Sequence, residues 1–251
     1  MLEKIYYSLR LLTTVWLAGS VVVAIPAYAK DAKTPTGAIG ETVAWNYLTA
    51  GQVIAADILP PPPSAPAEKM TELETVHTVY HYASEADKNA AYAEKKFTIF
   101  NFTEAVGSYF VATNLPKTAA FFEKVQKDAE TVTDGGKDFF RHPRPFTDDP
   151  SLANGKLEKS FSYPSGHSTE ATSIALVLAD LLPEKHDAII AHSDLMGWHR
   201  VQIARHYPSD ILAGRVLAKA IVRELKKSEN FQKEFAEVKA EITAAQAVAA
   251  K

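Results

Sequence analysis

The chain has 251 residues, 47% of them hydrophobic and 23% charged, with no cysteine and a formal net charge of −3. That composition suits one globular domain with a full apolar core. The charge balance excludes a general nucleic-acid binder, which needs a basic face, and the lack of cysteine leaves the core to hold the fold without disulfides.

The first 29 residues differ from the rest. Lys4 and Arg10 precede or enter an apolar run from Leu11 to Ala24, and Ala27-Tyr28-Ala29 follows as a small-x-small pattern. This is the layout of an export signal cut after Ala29. Its removal leaves residues 30–251 at a net charge of −4, since Lys4, Arg10 and Glu3 depart together. The expected location is therefore periplasmic or secreted. No later stretch is long and apolar enough to cross a bilayer, so no stable membrane association is expected after cleavage.

Residues 30–67 form a mixed N-terminal arm, with a short helix expected around Glu41 to Thr49 and a proline strap at Pro60-Pro61-Pro62-Pro63. Four consecutive prolines favour extended backbone. From Ala67 onward the apolar period is helical, with Leu73, Val76, His77 and Tyr80 on one face and a mixed face through Phe97, Phe100, Asn101, Glu104 and Ser108. Breaks are expected at Gly107, Pro116, Gly135-Gly136, Pro143, Pro145, Pro164, Pro183 and Pro208. Alternating strand patterns are scarce, so the predicted class is all-α with a single domain. His77 and His81 stand four apart, but no third ligand has a metal-site spacing, and both read as packing or surface histidines. The alanine-rich C-terminus reads as a solvated amphipathic helix.

Two charged residues, Arg200 and Asp210, occupy positions where a core face wants apolar ones. Ile174, Val177, Leu178, Leu181 and Leu182 give a core face to the helix that begins after Pro164-Ser165-Gly166-His167. Ser165 or Ser168 can cap that helix, and its free N–H groups lie beside His167 as an anion site. The next helix, expected from Glu184 to His206, puts Arg200 in line with Ile189, Ser193, Met196 and Ile203. A buried guanidinium there needs an anion. Beyond Tyr207-Pro208, Asp210 shares the apolar face of Ala213, Gly214, Leu217, Ile221 and Leu225, with His206 as its nearest obvious partner. Upstream, Lys137 is expected to end a helix, and Pro143 and Pro145 hold Arg144 in extended backbone. Arg141 and His142 read as surface basic residues. The 18 residues from Phe146 to Tyr163 form a long polar stretch, a candidate rim or lid.

Lys137-x6-Arg144-Pro145, Pro164-Ser165-Gly166-His167 and Arg200-x5-His206-x3-Asp210 together resemble the three-part signature of the type 2 phosphatidic acid phosphatase superfamily. Within it the chain is similar to the bacterial class A non-specific acid phosphatases, from the Leu59–Pro63 strap into the terminal helix. The resemblance implies an exported, all-helical, metal-independent acid phosphatase without cofactor, acting on small phosphate monoesters, with phosphotransfer as a side activity and homo-oligomers as the assembly. It implies His206 as nucleophile, Asp210 as its orienting carboxylate and His167 as general acid and later base. Lys137, Arg144, Ser165, Gly166 and Arg200 are implied to cradle the phosphate.

His199 and Arg205 depart from the family pattern, which commonly has serine and glycine there. They are expected to bear on the cradle, the pH response or the entrance. A vanadium haloperoxidase, a soluble lipid phosphate phosphatase and a phosphate-binding module without turnover are the competing readings.

Overall fold

The structure, a computed structural model, describes residues 44–94 and 96–250. The expected export signal and the start of the arm lie outside them. Among the described residues every regular element is a helix, in keeping with the all-α expectation.

The longer helices are α2 (Pro66–Tyr82), α3 (Glu85–Ala93), α5 (Pro116–Phe140), α7 (Gly166–Leu181), α8 (His186–Gln202), α9 (Pro208–Leu225) and α10 (Glu229–Ala249). Single turns α1 (Ala55–Ile58), α4 (Thr103–Val106) and α6 (Pro145–Asp148) punctuate the connections. Helix α7 is the centre. It packs on α5, α8 and α9, and its residues are buried on nearly all sides, as an apolar sequence without a polar face requires. Ile174, Val177 and Leu178 have no exposed surface. At about 1.5–3 kcal/mol for each fully buried side chain, these three alone contribute on the order of 5–9 kcal/mol.

Helix α5 is amphipathic, burying Phe121, Phe122, Val125, Ala129 and Val132, and α10 folds back along it through Phe231, Val238 and Ile242. Glu241 of α10 accepts the Lys117 and Thr118 N–H groups at 3.0 and 2.7 Å. It thus satisfies donors that the first turn of α5 leaves free. A smaller cluster joins Val76 of α2 to Leu152, Val201, Tyr207 and Ile211.

Four sequence expectations need correction. The arm is irregular from residue 44 to 54, not helical to Thr49. Asp128, fully buried in α5, accepts the N–H groups of Asn46, Tyr47 and Leu48 at 2.9, 2.8 and 3.0 Å. Those donors find a better partner there than a helical turn could supply. Gly135-Gly136 does not break α5; both stay helical, and Gly136 is a packing glycine, since a Cβ there would lie 2.8 Å from the Ala55 Cβ and 3.1 Å from Pro164. Residues 97–108 divide into a 3-10 turn at Ile99–Phe102 and α4, ended by Gly107 at φ 135°. Lastly, α8 stops at Gln202, so His206 is not helical.

The proline strap is extended between α1 and α2, and the Tyr163 hydroxyl donates to the Pro60 carbonyl at 2.7 Å. Packing within the chain accounts for it.

Candidate active site

The eight residues singled out from sequence converge on the N-terminal end of α7. Ser165 caps that helix, its Oγ accepting the Ser168 N–H at 3.3 Å, and its own N–H donates to the Asp210 carbonyl at 3.0 Å. Gly166 follows with no room for a side chain. A Cβ would stand 3.3 Å from Lys137 Nζ and 3.5 Å from Glu170 Oε1, so the glycine lets the ammonium approach the free N–H groups of α7. Lys137 reaches this point from the last turn of α5, which closes at Arg141 in the left-handed region, φ 49°.

Arg144 is held by its whole fork. Nε donates to the Ser160 carbonyl at 2.8 Å, one terminal nitrogen to the Arg205 carbonyl at 2.9 Å, and the other to Ser160 Oγ at 3.1 Å and the Phe161 carbonyl at 3.3 Å. The nitrogen on the Arg205 carbonyl also lies 3.2 Å from His206 Nε2. Since a guanidinium only donates, Nε2 presents its lone pair. At the other edge of that ring, Nδ1 lies 3.2 Å from Asp210 Oδ2. A carboxylate only accepts, so Nδ1 carries the proton.

A tight turn makes this placement. Ala204 takes φ 53°, a left-handed conformation that costs an alanine about 1–2 kcal/mol, and the Arg205 N–H returns to the Arg200 carbonyl at 2.8 Å. The chain thus leaves α8 and swings His206 over the first turn of α9, where Asp210 sits. Close helix contact completes the fit. A Cβ on Gly214 would meet the Ser165 carbonyl and Ser168 Cβ, each at 2.9 Å.

Burial, reinforced by Arg144, lowers the His206 pKa to about 3, so the ring is neutral. Burial also acts first on His167, and Arg200, His206 and Lys137 push it further, well below the usual histidine range. For Asp210, burial opposes ionisation, but the nearby His142 imidazole, 3.5 Å away, and hydrogen bonds from His206 and Ser162 overcome it and hold the carboxyl well below its ordinary value. Burial lowers Lys137 and brings Arg200 down to about 10, which leaves Arg200 cationic at neutral pH. Glu170, beside Lys137 and accepting from Gln126 at 2.7 Å, is pushed up to about 7 by burial.

Two buried nitrogens of this group, Arg200 Nε and His167 Nε2, have no protein partner. Buried polar atoms are rarely left so. They mark a place for an oxyanion among three cations. Among the described residues no cluster of three or more metal-ligating side chains forms. His77 pairs with Asp149 at 2.8 Å and His81 lies edge-on to Tyr82.

Two sequence readings are overturned here. Arg205 is 2% exposed and does not line an entrance. Its guanidinium holds the 146–163 stretch from beneath, donating to the carbonyls of Asn154, Lys156 and Ile203 and pairing with Glu158 at 2.9 Å. His142 is not on the surface but buried, with Nδ1 3.5 Å from Asp210 Oδ1. His199, the other departure, is buried against Glu94 at 2.7 Å, which ties the end of α3 to α8. Sequence reasoning also passed over Ser162, whose Oγ donates to Asp210 Oδ2 at 2.5 Å, and Glu158, which lies 3.6 Å from Arg200 as well. Ser162 had a usable signal, a hydroxyl three residues ahead of the Ser165 cap; Glu158 had none.

A profile of the PAP2 superfamily matches residues 126–232, the span that holds every one of these motif residues. The chain is 30% identical over 216 residues to a non-specific acid phosphatase of Providencia stuartii, covering 78% of this chain and 84% of that one. It is also 30% identical over 148 residues to a non-specific acid phosphatase of Salmonella typhi, covering 56% and 59%. A solved transmembrane PAP2-type phosphatidylglycerolphosphate phosphatase from Bacillus subtilis aligns over 69% of this chain and 89% of its own, with a TM-score of 0.48 and 19% identity. Agreement between the first of these relatives, nearly end to end, and the three motifs assembled around α7 shows that the chain belongs to the PAP2 superfamily as a class A non-specific acid phosphatase.

Proposed function

We propose that this phosphatase cleaves phosphate monoesters without a metal, through a phosphohistidine formed at His206 Nε2. The observation that carries the reading is the polarity of the His206 ring, with Nδ1–H on Asp210 and an Nε2 lone pair on the side of Arg144, one of the phosphate cations. In the first step the lone pair attacks phosphorus and the ester P–O bond breaks. His167 gives its proton to the departing oxygen. In the second step His167 takes a proton from water, the hydroxyl attacks phosphorus, the P–N bond breaks and inorganic phosphate leaves.

Phosphoryl transfer asks chiefly for positioned positive charge. Lys137, Arg144 and Arg200 supply it, with the Gly166 N–H and Ser165 at the helix start, and a Lewis acid is not required. The cations that lower His167 are those that would surround a bound phosphate dianion, which would raise His167 again and let it serve as the acid. Asp210 offsets the positive charge that forms on His206, as carboxylates do for histidines in hydrolytic triads. A phosphohistidine also passes its phosphoryl group to other hydroxyls, so transfer to an alcohol accompanies hydrolysis. The export pattern of residues 1–29 supports a site of action outside the cytoplasm.

The test is hydrolysis of p-nitrophenyl phosphate across acidic to neutral pH in excess EDTA, beside His206→Ala, with acid-labile phosphoenzyme trapped from labelled substrate. Turnover and label should both survive EDTA and both vanish in the variant. Label trapped on His206→Ala would overturn the assignment.

A further inference from the structure

We infer that His142 is a positioning residue, the side chain that holds the second oxygen of Asp210 and through it the orientation of His206. Asp210 has no exposed surface. Its Oδ2 is crowded, taking Ser162 Oγ at 2.5 Å, the Tyr207 N–H at 2.8 Å and His206 Nδ1 at 3.2 Å. Its Oδ1 has no hydrogen bond within 3.5 Å geometry, and neither has His142 Nδ1. These two unsatisfied buried atoms face each other at 3.5 Å. A donor and an acceptor left over in one buried place are partners that need only a small closing movement.

The surroundings fix the ring for that task. The imidazole leans on Tyr207 with centroids 5.3 Å apart and meets the Tyr163 ring edge-on at 6.3 Å. The His142 carbonyl accepts the Ser162 N–H at 2.9 Å, so the two residues that grip Asp210 are themselves joined by backbone. His142 also borders a narrow crevice with Pro63, Lys69, Glu72, Asp148 and Tyr207. The charged groups around it are therefore Asp210 from α9, Lys69 and Glu72 from α2, and Asp148 from α6. Asp210, which can only accept, requires Nδ1 to be the protonated nitrogen facing it, leaving Nε2 to the crevice side.

This inference rests on the reading of His206 as nucleophile, and two substitutions separate them. His142→Phe keeps the ring packing and removes the donor. His142→Asn keeps a donor where Nδ1 stands. We expect His142→Phe to lower kcat about 10- to 100-fold, the range for losing a hydrogen bond to a charged group, while the inhibition constant of inorganic phosphate stays within about two-fold. Its acid limb in kcat/KM should move to higher pH, because Asp210 loses a donor that favours its charged form. His142→Asn should restore most of both. Equal kinetics in His142→Phe and wild type, or equal loss in both variants with an unmoved acid limb, overturns the inference.

A second measurement needs no folded variant. Nitrogen spectra of histidine-labelled wild-type protein should show His142 as the Nδ1–H tautomer, and an Nε2–H tautomer overturns the inference even where phosphoenzyme forms normally. Conversely, turnover without trappable phosphohistidine refutes the nucleophile and leaves the tautomer result standing.

Discussion

Gly214→Ala tests whether the site depends on how closely α9 crosses α7. The added methyl would sit 2.9 Å from the Ser165 carbonyl and 3.0 Å from the Thr169 N–H. Both are backbone atoms that cannot rotate away. Restoring ordinary contact, near 3.4 Å, separates the helices by about half an ångström. Overpacking of this kind costs roughly 1–3 kcal/mol, against about 1 kcal/mol gained from alanine's better helix propensity. Gly135→Ala is the control, since a Cβ there meets nothing within 4 Å and collects the propensity gain alone. The two variants should therefore differ by about 2 kcal/mol, or roughly 4–8 °C in Tm for a chain of this size. Activity should divide them as well. A shift of about half an ångström between the Ser165 turn and Asp210 predicts a fall in kcat on the order of ten-fold, with Gly135→Ala unchanged. Thermal melts and steady-state kinetics on the same preparations decide it. If Gly214→Ala melts with the control and keeps full kcat, the close crossing does not set the site.

Arg205→Ala should cost about 1–3 kcal/mol in urea denaturation, because it removes the closer of the two cations at Glu158 and the guanidinium donor to the part-buried Asn154 carbonyl. Trypsin should then cut first at Lys156 or Lys159, and resistance there equal to wild type would refute the anchoring role. Stability should fall as pH drops below about 6.5, since the unfolded chain takes up protons on His167 and His206 before the folded one, whose His206 titrates only near pH 3. Asp210 acts in the same direction but at lower pH; its depressed pKa adds stability above the ordinary carboxylate range that is lost only in stronger acid. Calorimetry from pH 7 to 4 should show a sloping Tm, less steep in His206→Ala, and a flat wild-type profile would contradict neutral buried histidines.

Helices α7 and α9 were legible in the sequence because their apolar period is strong and their starts carry recognisable caps, Ser165 in one and Tyr207-Pro208 in the other. Arg200 and Asp210 were legible because their charge contradicts that period among aliphatic neighbours, and the other six site residues because they fall in motifs of fixed spacing around them. What stayed hidden depends on contacts between distant segments. Asp128 looks like an ordinary helical acid until residues 46–48, some 80 positions earlier, deliver their N–H groups to it. Gly136 reads as a breaker because local propensity cannot reveal Ala55 and Pro164 pressing on the same spot. His142 was misread for a related reason. Its basic neighbours suggest a surface, whereas the proline after it turns the chain so that the ring meets α9 from within.

The arrangement of helices around α7 bears on how activity returns during refolding. Helices α7, α8 and α9 are consecutive, so their mutual packing closes short loops, whereas α5 joins them across a longer connection and must also receive the arm and α10. Short loop closure is entropically cheaper and kinetically earlier. Arg200, His206, His167 and Asp210 thus come together within one local unit, and Lys137 arrives with the later docking of α5. Renaturing chains should regain inorganic phosphate binding ahead of turnover, and the interval between the two signals would time the arrival of α5.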